Sequence, residues 1–331
     1  MVRFIVLFFI ATQLTAQNKT AASFGFTHLQ IMYQGDTVDV LIKSKPGNNQ
    51  KAKPLFFFCQ GSQPIPLIKT DGEKLYSIFP FTPDSLSNEY HIVIVSKPHV
   101  PLIADVKTLT NNFNYIDAKT QKPPKKYSDK NLLSYYVNRN LYIINYLQKQ
   151  SYVSKNKLVV AGHSEGSTIA AKMAQQSNKI THLIYASGNP QGRIMAMVAR
   201  DRAIETDTDS TRYTQDEFVY WQNTVNNKNS LNDSLGDTYK ATYNFSIPPI
   251  QYLLALKIPV LICYGTKDES APFNDYLHIE TIRQKKQNFT YNAYIGLEHN
   301  FFPLTKNNKP DYSQYNWNKI ATDWQTWAAT K

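Results

Sequence analysis

Three residues of types that can break an acyl bond stand in one order along the chain: Ser164, Asp268 and His299. Ser164 is at the centre of Gly162-His163-Ser164-Glu165-Gly166, a G-x-S-x-G motif in which a serine is presented on a sharp strand-to-helix turn. A hydroxyl is a poor nucleophile at neutral pH. It needs a base in hydrogen-bond reach, and the base needs an acid to fix its tautomer and stabilise its charged form. Tyr264-Gly-Thr-Lys-Asp268 offers that acid, with Glu269 next to it as the alternative, and Asp268 could instead cap the following helix. Ile295-Gly-Leu-Glu-His299 offers the base. An attacked carbonyl also needs N–H donors where its oxyanion forms. The N–H of Glu165, just after the serine, is one candidate. The loop Gln60-Gly61-Ser62-Gln63-Pro64 offers the N–H of Ser62 as the second, with Gly61 permitting a tight backbone. His163 points away from the apex and is read as structural; the other five histidines carry no motif.

These residues are useful only if strands and helices bring them together. Leu55–Cys59, His91–Val95, Leu158–Ala161, His182–Ala186 and Pro259–Tyr264 are short apolar runs, the pattern of strands buried on both faces. Each candidate stands just past such a run, or past the expected last strand, Tyr291 to Ile295. Helices are expected after Ser128 or Asp129, from Glu165 onward, over about Pro272–Gln287 and in the tail from Ser313. At the start, Thr27–Tyr33 and Thr37–Ile42 alternate around Gln34-Gly-Asp36, which predicts a hairpin. Strands alternating with helices after an antiparallel start predict an α/β fold with a mostly parallel, doubly wound sheet. Residues 99–130 read as loop. Residues 190–257 are long and polar, with helical patches at Gly192–Ala203 and Gln215–Asn226. The rhythm resumes after them, so they read as a helical cap inserted between core segments 27–189 and 258–331. Within the cap, Phe218, Tyr220 and Trp221 could line a substrate pocket or form the cap's own small core; Gln63 is the matching candidate on the core side.

On these motifs the chain resembles the α/β-hydrolases over roughly residues 27–331. Gly162-His-Ser-Glu-Gly166 with Gln60-Gly-Ser-Gln-Pro64 is similar to carboxylesterases of the dienelactone-hydrolase-like and serine-aminopeptidase-like groups. Those commonly read His-Gly-Ser-Gly-Pro in the second motif, so Gln60 and Gln63 are departures. The resemblance implies hydrolysis of an ester, thioester or amide of a small acyl substrate, with no cofactor. The expectation is a carboxylesterase working through an acyl-enzyme. A peptidase anchoring a substrate terminus on Glu165 or a cap acid, a thioesterase or acyltransferase, and a binding protein on a retained hydrolase scaffold are the alternatives.

The remaining numbers bound this reading. At 331 residues and 42% hydrophobic, the chain can bury one large core. Met1-Val-Arg3, the apolar run Phe4 to Ala11 and the small residues before Gln17 read as a cleaved export signal over residues 1–16, which predicts a periplasmic or secreted protein. That run is too short to span a membrane, so no stable insertion is expected. The net charge of +11 comes from scattered Lys and Arg without a basic stripe, which argues against nucleic acid. Neither histidines nor cysteines show metal-ligand spacing. Cys59 and Cys263 end strands not expected to be neighbours, and are expected as buried free thiols.

Overall fold

The computed structural model describes residues 19–207, 212–232 and 236–331; the expected export signal lies outside them. The apolar runs form the strands that were expected. In chain order the strands are β1 (Phe26–Tyr33), β2 (Asp36–Lys43), β3 (Lys53–Cys59), β4 (Ile68–Asp71), β5 (Lys74–Ser77), β6 (His91–Val95), β7 (Ile103–Asp105), β8 (Val153–His163), β9 (His182–Ala186), β10 (Val260–Gly265) and β11 (Phe289–Tyr294). The helices are α1 (Asp84–Ser87), α2 (Lys125–Lys130), α3 (Leu133–Leu147), α4 (Glu165–Gln176), α5 (Arg193–Ile204), α6 (Tyr213–Asn226), α7 (Tyr239–Phe245), α8 (Ile250–Ala255), α9 (Ala271–Arg283) and α10 (Trp317–Thr330).

Eight strands form one sheet in the order β1-β2-β6-β3-β8-β9-β10-β11. The β1–β2 and β2–β6 pairs are antiparallel and all others parallel. Gln34 and Gly35 take φ of 49° and 82°, the left-handed pair that lets a two-residue turn follow the twist of β1 and β2. All five residues of β6 and of β9 and all six of β10 are buried, so the continuous apolar runs reflect a sheet covered on both sides. Side chains of α3, α4, α8 and α9 fill one face. Those of α1 and α10 fill the other, with Trp317, Trp324 and Trp327 beside Phe56 and Phe58. Cys59 and Cys263 are free and buried, on strands separated by β8 and β9.

Two parts differ from expectation. The segment read as loop contributes β7 to a small three-stranded sheet, β5-β4-β7, and ends in α2. Its β4–β5 hairpin turns at Gly72-Glu73, with Gly72 at φ 54°. The other difference is the end of the cap. Beyond α5 and α6, residues 190–257 carry α7 and α8, and α8 packs on α4 with Leu253 and Leu256 in the main core. The insertion therefore returns to the core before residue 257. No helix among the described residues is long and apolar enough to cross a membrane.

Candidate active site

The site begins where β8 turns into α4. Ser164 has φ 57° and ψ −127°, a conformation that side chains with a Cβ rarely adopt. It is held there by close packing. A Cβ on Gly162 would lie 2.0 Å from the carbonyl oxygen of Gly166, and one on Gly166 would lie 2.0 Å from that of Cys59. Only glycine lets the strand, the helix and the end of β3 approach this closely. The Ser164 N–H donates to the Ala186 carbonyl at 3.0 Å, which ties the turn to β9.

From 104 and 135 residues further on, Asp268 and His299 meet this serine. His299 Nε2 lies 3.0 Å from Ser164 Oγ, and His299 Nδ1 lies 2.8 Å from Asp268 Oδ2. Asp268 is buried and its other oxygen accepts the Ser270 N–H at 2.8 Å. Glu269 is exposed, and it is Asp268 that holds the imidazole. The two loops are pinned to each other: the Lys267 N–H donates to the Leu297 carbonyl at 2.8 Å, and Gly265 has no room for a Cβ against that same carbonyl, 2.1 Å away. Burial works against a charged His299, but the Asp268 hydrogen bond and charge, helped by Glu269 and Glu298, outweigh it and hold its pKa above the ordinary imidazole value. His163 does the opposite. Its ring is buried against Trp317, with centroids 4.9 Å apart, and donates from Nε2 to the His299 carbonyl at 3.0 Å. Burial, with the nearby His299, pushes its pKa down to about 3, so it is a neutral strut under the loop that carries His299.

The loop after β3 lies across from the elbow. Gln60, where the resembled esterases read His, donates from Nε2 to the Val95 carbonyl at 2.9 Å and so holds the loop to the end of β6. A Cβ on Gly61 would reach only to 3.8 Å from Ser164 Cβ, so the close approach here depends on Gly166 more than on Gly61. Tyr127 donates its hydroxyl to the Ser62 carbonyl at 2.8 Å. The N–H groups of Ser62 and Glu165 donate to no group among the described residues.

Ser164 and His299 stand between two cavities. One, of about 470 Å³, lies against α5 and Asp237 and is lined by the apolar side chains of Ala196, Met197 and Phe245 together with Thr168, Ser187, Asn189 and Arg193. The other, of about 420 Å³, lies toward the small sheet and is lined by Phe58, Gln63, Ile65, Ile78 and Pro80. Gln63 thus lines a cavity that also reaches Ser164. Phe218 and Trp221 line neither cavity. Helix α6 packs on α5 and α7, leaving Phe218 47% exposed and stacking Trp221 on Tyr243 at 5.9 Å. Their hydrophobicity serves the cap itself.

The sequence offers Glu165 as a backbone donor and, in the peptidase alternative, its carboxylate or a cap acid as the anchor of a substrate terminus. In the structure that carboxylate is buried and engaged by Lys97 at 3.3 Å and by Arg193, whose other arm reaches Asp237 at 2.5 Å. Lys97 and Arg193 had no motif to announce them. The Lys97 ammonium is pulled down by burial, against the charge of Glu165.

Residues 141–295 match the family model described as the C-terminal domain of BAAT and acyl-CoA thioester hydrolases. Among solved structures, Est1E from Butyrivibrio proteoclasticus is similar with a TM-score of 0.55 at 16% identity, over 92% of this chain and 99% of that one. A Klebsiella pneumoniae protein assigned as a dienelactone hydrolase gives 0.53 at 14%, over 92% and 98%. The acylaminoacyl peptidase of Pyrococcus horikoshii gives 0.50 at 12%, over 83% of this chain but 37% of that one. No curated protein matches in sequence. At such identities these likenesses speak for the fold, and with the sheet order and the elbow they agree on one conclusion: the chain is an α/β-hydrolase in fold.

Proposed function

We propose that the protein is an exported serine hydrolase that cleaves a carboxylic ester of a small acyl substrate through an acyl-enzyme. The observation that carries this is the unbroken line Ser164 Oγ–His299 Nε2 at 3.0 Å and His299 Nδ1–Asp268 Oδ2 at 2.8 Å, with the serine on a strained turn between two cavities. His299 takes the Ser164 proton as Oγ attacks the acyl carbon, and Asp268 holds the resulting imidazolium. The free N–H groups of Glu165 and Ser62 receive the oxyanion. His299 then returns the proton to the departing oxygen, leaving the acyl group on Ser164. A water, activated by the same histidine, releases the acid. The cap-side cavity, lined by apolar as well as polar side chains, has room for a small acyl or leaving group. Export rests on the pattern of residues 1–16.

The match of residues 141–295 to acyl-CoA thioester hydrolases favours a second reading, cleavage of a thioester by the same residues. Esters and thioesters share the acyl-enzyme and differ in the leaving atom. Turnover of matched acetyl and butyryl nitrophenyl esters and their thioester counterparts separates the two readings. A fluorophosphonate probe should label Ser164 in the active protein and not in Ser164→Ala. An active protein left unlabelled would remove the serine mechanism, and a folded protein neither labelled nor active would favour a binding role.

A further inference from the structure

Around the residue that follows the nucleophile, six side chains form a closed circuit. Lys97, just past β6, contacts the Glu165 carboxylate at 3.3 Å. Glu165 pairs with Arg193, the first residue of α5. Arg193 reaches Asp237 at 2.5 Å, and Asp237 accepts from Asn131 Nδ2 at 2.8 Å. Asn131 Oδ1 accepts the Tyr136 hydroxyl at 2.8 Å, and the Tyr136 ring faces the Lys97 ammonium at 4.5 Å. Four members belong to the core. Arg193 and Asp237 belong to the cap. Tyr127, which holds the Ser62 carbonyl, interacts with Tyr136 through its side chain, so the circuit touches both proposed oxyanion donors.

The circuit is built tightly. The side chains of Lys97 and Glu165 are only 2% and 5% exposed. The Arg193 guanidinium lies over the Phe245 ring at 4.5 Å. Gly192, at φ 89°, seats the start of α5 against the end of α7, where a Cβ would fall 2.5 Å from the Ser246 carbonyl oxygen. Buried ion pairs add little net stability over apolar replacements, whereas removing one partner leaves a desolvated charge with nothing to balance it. Here that charge would be the Glu165 carboxylate, left with Lys97 alone at 3.3 Å, on the residue whose N–H must face a forming oxyanion. A carboxylate held by one cation in place of two opposes the transition state more strongly, and a Glu165 side chain released from the cap loosens the first turn of α4.

Resting on the reading of Ser164 as nucleophile, we infer that Arg193 is a positioning residue for the reaction: by joining Glu165 to Asp237 it makes the docked cap and a competent oxyanion hole one and the same state. Arg193 touches no reacting atom in this scheme. It acts through Glu165, so its loss should fall on the rate of acyl transfer and not on substrate affinity.

Steady-state kinetics on a short nitrophenyl ester, with a thermal melt of each variant, test this. Arg193→Gln is expected to lower kcat about 100-fold, the scale of losing one oxyanion donor, with KM changed by less than about threefold. In Glu165→Gln/Arg193→Gln the under-neutralised carboxylate is gone, and about tenfold of that kcat should return. A folded Arg193→Gln with wild-type kcat overturns the inference, as does a rise in KM alone, which would make Arg193 a substrate contact. So does a double variant no faster than the single one. If Arg193→Gln loses its cooperative melt, Arg193→Lys decides: it keeps the charge but not the fork, so a roughly tenfold lower kcat supports the role and an unchanged one overturns it. Failure of a fluorophosphonate to label Ser164 in the unmodified protein would instead remove the hydrolase reading itself.

Discussion

The sheet core and the cap are held by different interactions. Between β3 and β10 the contacts are dry: Phe56, Phe57, Ile92, Val160, Ile184 and Ile262 are at most 1% exposed, and Trp324 stacks into them from α10. In the cap, α5 buries one apolar residue, Ile194, and the buried side chains of α6 are Thr214, Glu217 and Thr224. Its grip on the core beside Ser164 is ionic, through Arg193 and Asp237. Dispersion and apolar burial are summed over many neighbours and give a rigid frame. To the apolar seats of Phe245 and Leu253 the charged contacts add a link beside Ser164 that one substitution can break. The frame places the proposed chemistry; the link sets what surrounds it.

Substitutions should expose this difference in descending order of effect. Ser164→Ala should lower kcat by about 10⁴- to 10⁶-fold in ester turnover, leaving the melt nearly unchanged, since a surface hydroxyl of the frame is all that is lost. Wild-type turnover would end the assignment. Asp268→Asn should cost about 10⁴-fold while Glu269→Gln, at an exposed rim position, is nearly silent; the reverse pattern would move the acid to Glu269. The pH profile should agree. A protonated His299 cannot act as base, so kcat/KM should fall about tenfold per pH unit below its raised pKa. Because the folded value is the higher one, the stability contributed by the His299–Asp268 contact has the opposite sense: it is complete below the unfolded pKa of about 6.5 and lost as pH rises through the folded value.

Packing comes next. Trp324→Ala should lower stability by about 3–5 kcal/mol through the cavity left under β3, read as an earlier urea midpoint. His163 sets the acid limit. Its folded pKa of about 3 lies below the unfolded value, so the unfolded chain takes a proton the folded one refuses, and stability is lost as pH falls below about 6.5. The linked loss is on the order of 3 kcal/mol by pH 4, and His163→Gln should flatten that part of the difference between melts at pH 7 and pH 4. Smallest of all, Phe218→Ala in the cap should change stability by less than about 0.5 kcal/mol and leave kcat/KM within about twofold. A large fall in kcat/KM would return Phe218 to the substrate site and make the cap more like the core than its contacts suggest.

How much of this was legible follows from the same division. Strands buried on both faces must be apolar throughout, so β3, β6, β8, β9 and β10 were written into the sequence as runs, and the residues just past them as candidates. The small sheet was not seen because β4 and β5 mix Lys, Thr and Asp into short alternating stretches. The Asp71-Gly72 pair was the one signal that marked their turn. Phe218 and Trp221 stayed open between two roles because an aromatic in a polar segment looks the same whether it faces a ligand or its own helix neighbours. The fate of the Glu165 carboxylate was hidden for a further reason: its partners lie 68 residues before it and 28 after it. Ion pairs carry no periodicity.

By itself the sequence determined the strand-and-helix rhythm, the glycines that make the Ser164 turn possible, and the order serine, acid, base. These follow from local sterics and from the burial each strand requires. Only the tertiary structure decided that Asp268 and not Glu269 reaches His299, that His163 braces the histidine loop, and that Arg193 closes on Glu165, the residue after Ser164. Those choices depend on distances between segments far apart in the chain, which neither composition nor spacing encodes.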